Sequence, residues 1–152
     1  MIALRPGDAA DLPTVAAIMQ AAFDPRFGES WTVSQCAGVM AMPGVWLTVA
    51  EIGETAGGFA LSRLILDESE LLLLAVTPDC RRRGLGQALL RSAIGESRVR
   101  GAKRIHLEVR AGNEAIALYR RSGFEKVGQR RDYYRGLNNK LFDAITFQKA
   151  ID

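Results

Sequence analysis

The sequence predicts one mixed α/β (α+β) domain, a mostly antiparallel sheet with a central parallel strand pair flanked by helices. Three observations carry this expectation. Residues 46–52, 58–66 and 70–76 are successive runs of β-compatible residues separated by short Gly- or Asp-containing gaps, the pattern of an antiparallel meander. After Pro78 the apolar period changes: Leu85, Ala88, Leu89, Ser92, Ala93 and Val99 stand at helical spacing, and Gly101 stops that helix. Ile105, Leu107 and Val109 then alternate with His106, Glu108 and Arg110, giving a strand with one apolar and one polar face. The strand–helix–strand unit from Leu71 to Val109 places its two strands parallel or splayed, side by side.

The other elements follow in chain order. Residues 2–5 form a short strand before a helix starting near Asp8, with Asp8 as its N-cap and Leu12, Val15, Ile18, Met19 and Phe23 as its apolar stripe. Residues 24–28 (DPRFG) break that helix. A second helix spans residues 31–40 with Ser30 as its expected cap, and Pro43-Gly44 ends it. Residues 115–121 form a short helix closed by Gly123 in the left-handed conformation, and residues 124–127 and 141–147 are the last two strands. The order is β-α-α-β-β-β-α-β-α-β-β.

At 152 residues, 48% of them hydrophobic, the chain fits a single domain over residues 1–152. The longest apolar run, Leu71 to Val76, is six residues, against the ~20 a membrane helix needs. The start, MIALRPGDAADLP, has no basic stretch leading into an apolar core, so no signal peptide is expected and the cytoplasm is the expected compartment. Two cysteines, Cys36 and Cys80, are too few for a disulfide framework, and they with the single histidine, His106, give no metal-ligand spacing. Charge is divided unevenly. Residues 1–76 hold three basic and nine acidic side chains, a net of −6, whereas residues 77–152 hold seventeen and eight, a net of +9. A basic half suits an anionic ligand and an acidic half a cationic partner; solvated faces explain both equally well.

The sharpest local feature is Arg81-Arg82-Arg83-Gly84-Leu85-Gly86-Gln87-Ala88, between a strand and a helix. Glycines let a ligand approach the backbone, and the unpaired N–H groups of a helix's first turn make an anion site. A dinucleotide fingerprint needs a third glycine where Leu89 stands, and a P-loop needs Gly-Lys-Ser/Thr. Alone, the pattern is more often a tight strand-to-helix turn. No helix-turn-helix, RNP-like aromatic strand or zinc finger accompanies the arginines, so no sequence-specific nucleic-acid binding is expected.

Around it stand Leu74-Ala75-Val76-Thr77-Pro78, Leu107-Glu108-Val109-Arg110, Ala115-Ile116-Ala117-Leu118-Tyr119 and Gly123-Phe124. With the glycine loop, this succession resembles the GNAT N-acetyltransferase superfamily. Leu66-Asp67-Glu68, Arg130-Arg131-Asp132-Tyr133-Tyr134 and Asp143-Ala144-Ile145 extend the likeness to the bacterial RimI-type ribosomal-protein-alanine N-acetyltransferases. The likeness is dense over residues 64–147 and thin before Trp46.

The resemblance implies a GNAT fold, acetyl-CoA as donor, no metal, and as acceptor the N-terminal alanine of a small-subunit ribosomal protein. It assigns Leu74, Ala75 and Val76 to the acetyl and pantetheine portion through their backbone, and Arg82, Arg83, Gly84, Leu85, Gly86 and Gln87 to the pyrophosphate. Acyl transfer from a thioester to an amine makes two demands. An N-terminal ammonium, of pKa ~7.7–8.0, must lose a proton, and a thiolate, of free-thiol pKa ~8.5, is helped by receiving one. By the resemblance, Glu108 is the base and Tyr119 the acid, while backbone N–H groups of the central strand stabilise the developing negative oxygen. No covalent enzyme intermediate is required.

Read without the resemblance, Glu108 is a surface residue paired with Arg110, and Tyr119 a core aromatic. His106 is a competing base or a structural residue, and Cys80 lacks any partner. Tyr133-Tyr134 with Arg130-Arg131 border the acceptor cleft or simply pack. In the family an asparagine that contacts CoA precedes the tyrosine by seven positions; Asn113 precedes Tyr119 by six, with Gly112 at the seventh. Either the helix starts one residue late and Asn113 still reaches CoA, or that contact is lost. Residues 22–31 depart from the family's acceptor-binding region. The acidic half suits a basic N-terminal segment; a small-molecule amine is the alternative acceptor, and a non-catalytic CoA- or nucleic-acid-binding module the remote one.

Overall fold

The structure, a computed structural model, describes residues 1–151. Its elements are β1 (Ile2–Gly7), α1 (Leu12–Ala22), α2 (Val33–Met40), β2 (Val45–Ile52), β3 (Thr55–Ile65), β4 (Glu68–Val76), α3 (Leu85–Val99), β5 (Arg104–Arg110), α4 (Ala115–Arg121), β6 (Glu125–Arg135) and β7 (Leu141–Ala150). The strands form one seven-stranded sheet in the order β1-β2-β3-β4-β5-β7-β6. The expected parallel pair is present as β4–β5, and every other neighbouring pair is antiparallel.

Local chemistry sets the helix ends. Asp8 accepts from the Ala10 amide while Asp11 accepts from the Asp8 amide, a reciprocal box around a 3-10 turn that leads into α1. The cap of α2 is Thr32, not Ser30. Thr32 Oγ1 accepts from the Gln35 amide at 3.1 Å and Gln35 Oε1 accepts from the Thr32 amide at 2.8 Å, satisfying two orphan donors at once. Ser30 is left to donate to the neighbouring Trp31 carbonyl. Helices α3 and α4 have the expected bounds, and Gly101 and Gly123 follow them at positive φ.

The sheet is covered on both faces. Val15, Ile18 and Met19 of α1 and Cys36 of α2 pack on Leu47, Val49, Phe59 and Leu61. On the other face Leu85, Leu89, Leu90 and Ala93 of α3 pack on Ile105, Leu107, Val109 and Phe147. Strand β4 changes faces midway. Leu71 opposes Ser62 and Leu73 opposes Leu61, so Leu72 is an extra residue with no partner on β3. Leu71 therefore lies in the α3-side core, whereas Leu72 and Leu73 both face the α1-side core, with Leu74 back on the α3 side. This explains a continuous apolar run in place of simple alternation.

Strand β6 runs to Arg135 instead of stopping at residue 127, and so takes in Tyr133 and Tyr134; β7 continues to Ala150. Most of β6 is exposed, so it lacks the apolar alternation that marks a strand, and backbone pairing with β7 defines it. No helix among the described residues is long and apolar enough to cross a membrane.

Candidate active site

The parallel pairing of β4 with β5 covers only Glu68–Leu71 against Arg104–Leu107. Beyond Leu71 and Leu107 the strands part, β4 remaining paired to β3 and β5 to β7. Their facing edges keep backbone groups that no sheet partner takes. A cavity of about 970 Å³ opens at the parting. It is lined by Leu74, Ala75 and Val76 of β4, Glu108 of β5, Tyr119 of α4, Asn113, and the loop residues Arg82, Gly84, Leu85, Gly86 and Gln87. Of the sequence-predicted site residues, Arg83 alone is absent from that lining, and it is exposed.

The loop reaches α3 through strained backbone. Arg82 has φ 63° and Gly84 φ 86°, values at which a side chain is penalised and glycine is not. Gly84 precedes the first helical residue and no side chain caps the helix; the ladder begins with the Ala88 amide donating to the Gly84 carbonyl. The amides of Leu85, Gly86 and Gln87 thus point outward without a partner among the described residues. Arg81 differs from its neighbours: its guanidinium donates to the Ala22 carbonyl at 2.8 Å and the Val76 carbonyl at 3.3 Å, so it is a tether and not mobile charge.

Glu108 stands on the polar face of β5 with a side chain 14% exposed. Burial pushes its carboxyl above the ordinary range, and Glu70 adds to this; Arg130 and His106 oppose it. Its ion-pair partner is Arg130, 3.2 Å away, and not Arg110 as the strand alternation suggested. Arg110 instead meets Glu29. The Tyr119 ring sits in the α3-side core, edge-on to Phe124 at 5.9 Å, while the residue also borders the cavity. Burial, then the charge of Glu29, raises its phenol above the ordinary tyrosine value. One group is thus shifted toward the pH of an amine's titration, and the other stays protonated.

Glu29 is the residue that the sequence did not single out. Its carboxylate accepts from Arg110 Nε at 3.1 Å and from Asn113 Nδ2 at 2.8 Å, while the Arg110 guanidinium lies 3.6 Å over the Phe27 ring. Asn113 Oδ1 takes the Ala115 amide at 2.8 Å, holding the start of α4. His106 Nε2 lies 3.7 Å from Glu70, on the same face as Glu108. Cys80 is buried against Gly57. Tyr133 and Tyr134 do border the cavity, and the Tyr134 hydroxyl is 3.5 Å from the Glu108 carbonyl.

The acidic half of the chain supplies Asp24, Glu29 and Glu70 to the cavity wall. Each has an arginine against it: Arg26 at 2.8 Å, Arg110 at 3.1 Å and Arg63 at 3.0 Å. The wall is therefore closer to neutral than the sequence charge suggests.

Known proteins share this fold. The chain is 49% identical over 77 residues to the ribosomal protein bS18-alanine N-acetyltransferase of Escherichia coli K12, covering 50% of this chain and 52% of that protein. It is 41% identical over 91 residues to the N-alpha-acetyltransferase RimI of Mycobacterium tuberculosis, covering 57% of this chain and 56% of that one. These matches span about half the length of the curated relatives. The crystal structure of the ribosomal-protein-S18-alanine N-acetyltransferase from Escherichia coli superposes with a TM-score of 0.89 and 34% identity, over 100% of this chain and 95% of its own. Residues 12–124 match the acetyltransferase (GNAT) family, and to that family this chain belongs.

Proposed function

We propose that this chain is an acetyl-CoA-dependent N-acetyltransferase acting in the cytoplasm on the N-terminal alanine of a small-subunit ribosomal protein. One observation carries the reading: Glu108 and Tyr119, from different elements, border the same cavity at the parting of β4 and β5, beside the uncapped start of α3. The acceptor class is drawn from the bS18-alanine N-acetyltransferase of Escherichia coli and from the similarity of this chain to it.

The residues present fit a diphosphate-bearing cofactor. A Cβ built on Gly86 would meet only Leu118 at 3.5 Å and Val76 at 3.9 Å, ordinary contacts, so internal packing does not demand glycine there. Close approach of a ligand to the backbone does. In this reading the amides of Leu85, Gly86 and Gln87 and the Arg82 and Arg83 guanidinium groups hold the diphosphate, and the open edge of Leu74, Ala75 and Val76 orients the acyl arm. Asn113 spends one amide hydrogen on Glu29 and keeps the second for the cofactor. Bound acetyl-CoA supplies an acetyl thioester at the parting of the strands.

Glu108 takes the proton of the incoming ammonium, directly or through water, and its partial burial brings its proton affinity nearer that of the amine. Tyr119 holds its phenolic proton for the departing sulfur and recovers it from solvent. No side chain needs to form a covalent bond.

Mass spectrometry of a peptide library incubated with the protein and acetyl-CoA tests the reading, with free amines as a parallel arm. Acetylation concentrated on alanine-initiated peptides is expected. Transfer to free amines but not to peptide N-termini would overturn the acceptor assignment.

A further inference from the structure

Strand β6 carries an irregularity that the chemistry above leaves unused. Arg130 opposes Ala144 and Tyr134 opposes Phe142, so Arg131, Asp132 and Tyr133 bulge out opposite the single residue Asp143. Asp132 has φ 54°, unusual for a residue with a side chain. The Asp143 carboxylate pins the bulge, accepting from the Asp132 amide at 3.0 Å and from Gln129 Nε2 at 2.8 Å. The bulge carries Tyr133 to the cavity wall, while Arg130, still paired opposite Ala144 just before it, reaches Glu108 with its guanidinium 5.5 Å over the Tyr133 ring.

The Arg130–Glu108 pair is lopsided. The carboxylate side chain is 14% exposed and the guanidinium side chain 61%. Glu108 Oε2 is shielded from solvent and lies within ion-pair distance of Arg130, yet it receives no hydrogen bond from any described residue. A sequestered oxygen whose lone pairs are unclaimed, beside a loosely held cation, accepts a better-placed donor readily. The groups facing Glu108 are Glu70 of β4, His106 of β5, and Arg130, Tyr133 and Tyr134 of β6. Arg130 is the permanent cation of this set.

We propose that Arg130 is an internal stand-in for the acceptor's ammonium group, neutralising Glu108 in the empty site and swinging into solvent when a protonated amine takes its place. The inference rests on the reading of Glu108 as the base. It makes Arg130 a positioning residue that determines which acceptors enter. An acceptor bearing a cationic amine replaces one charge with another, whereas a neutral or blocked terminus displaces Arg130 and leaves Glu108 uncompensated. Two consequences have opposite effects on activity. Arg130 competes with the acceptor and raises its KM, and it keeps Glu108 ionised to lower pH.

The test compares the full chain with Arg130→Gln and Arg130→Lys, measuring thiol release from acetyl-CoA with an alanine-initiated peptide across a pH series. In Arg130→Gln the acceptor KM is expected to fall about two- to fivefold, the scale of a half-exposed ion pair. The acid limb of kcat/KM should move up by about half a pH unit, and Arg130→Lys should restore both. An acid limb that stays in place, or an acceptor KM that is unchanged or raised, overturns the inference. Carbon-13 NMR of the Glu108 carboxyl, assigned with Glu108→Gln, gives a readout without turnover: its midpoint should rise in Arg130→Gln, and a fixed midpoint overturns the inference. Failure of the wild-type chain to acetylate any amine removes the functional reading instead, and the carboxyl titration still decides whether Arg130 governs the charge on Glu108.

Discussion

The Arg110 guanidinium of β5 and the Glu29 carboxylate, from the loop joining α1 to α2, lie 3.1 Å apart with side chains 12% and 10% exposed. Asn113 and the Phe27 ring complete their surroundings. The loop is thereby fastened to the strand that carries Glu108, one wall of the cavity to the other. Removing one partner strands the other charge, a loss of about 3 kcal/mol or more. Thermal unfolding of Glu29→Leu should show a markedly lower Tm, and adding Arg110→Met should recover most of it. A double variant as unstable as the single one would mean that the ion pair is not what fastens the loop.

Replacing Glu108 by Gln removes the proton acceptor but keeps the side chain's size. Turnover near neutral pH should fall by about 10²–10⁴-fold with CoA affinity nearly unchanged. The wild-type acid limb follows from the same group. Burial raises the carboxyl's pKa, so kcat/KM declines as pH falls through that raised value, above where an exposed glutamate would place it. A linkage effect of opposite sign accompanies it: a carboxyl with a raised folded-state pKa favours the folded chain more as pH falls and less as pH rises through that value. Unchanged turnover in Glu108→Gln would take Glu108 out of the mechanism.

Tyr119→Phe keeps the ring that packs on Phe124 and Phe147 and deletes the hydroxyl. Its kcat should drop by about 10²-fold while Tm moves little. The raised phenol also predicts that the wild type keeps its activity through the pH range in which an ordinary tyrosine ionises. An alkaline loss at the ordinary value that disappears in Tyr119→Phe would contradict the burial that the structure gives this ring.

Much of the frame was legible in the chain because its signals are local. Gly101 and Gly123 close α3 and α4 at positive φ, and β5 alternates cleanly because one of its faces is core. The cap of α2 was placed two residues early, at Ser30, although Thr32 and Gln35 stand at capping-box spacing. Strand register and long-range side-chain partners were not legible. The face change at Leu72 depends on its register with β3, and Glu29 meets Arg110 across 81 positions of sequence. Arg81 reads as one of three equivalent arginines until its bond to Ala22 shows that it is a tether. The glycine loop stood out by its own residues, and Glu108 and Tyr119 through a resemblance in pattern, while the partner of Glu108 came from β6, whose exposed residues carry no periodic signal.

The central claim is that the backbone at Gly84 and Gly86 receives the diphosphate of CoA beside Glu108 and Tyr119. Titration calorimetry of CoA into the wild-type chain and into Gly86→Val tests it most directly. Saturable heat at one CoA per chain is predicted for the wild type, together with its loss in a Gly86→Val chain that keeps its Tm. Equal binding by both proteins, or no heat of mixing with either, would contradict the account.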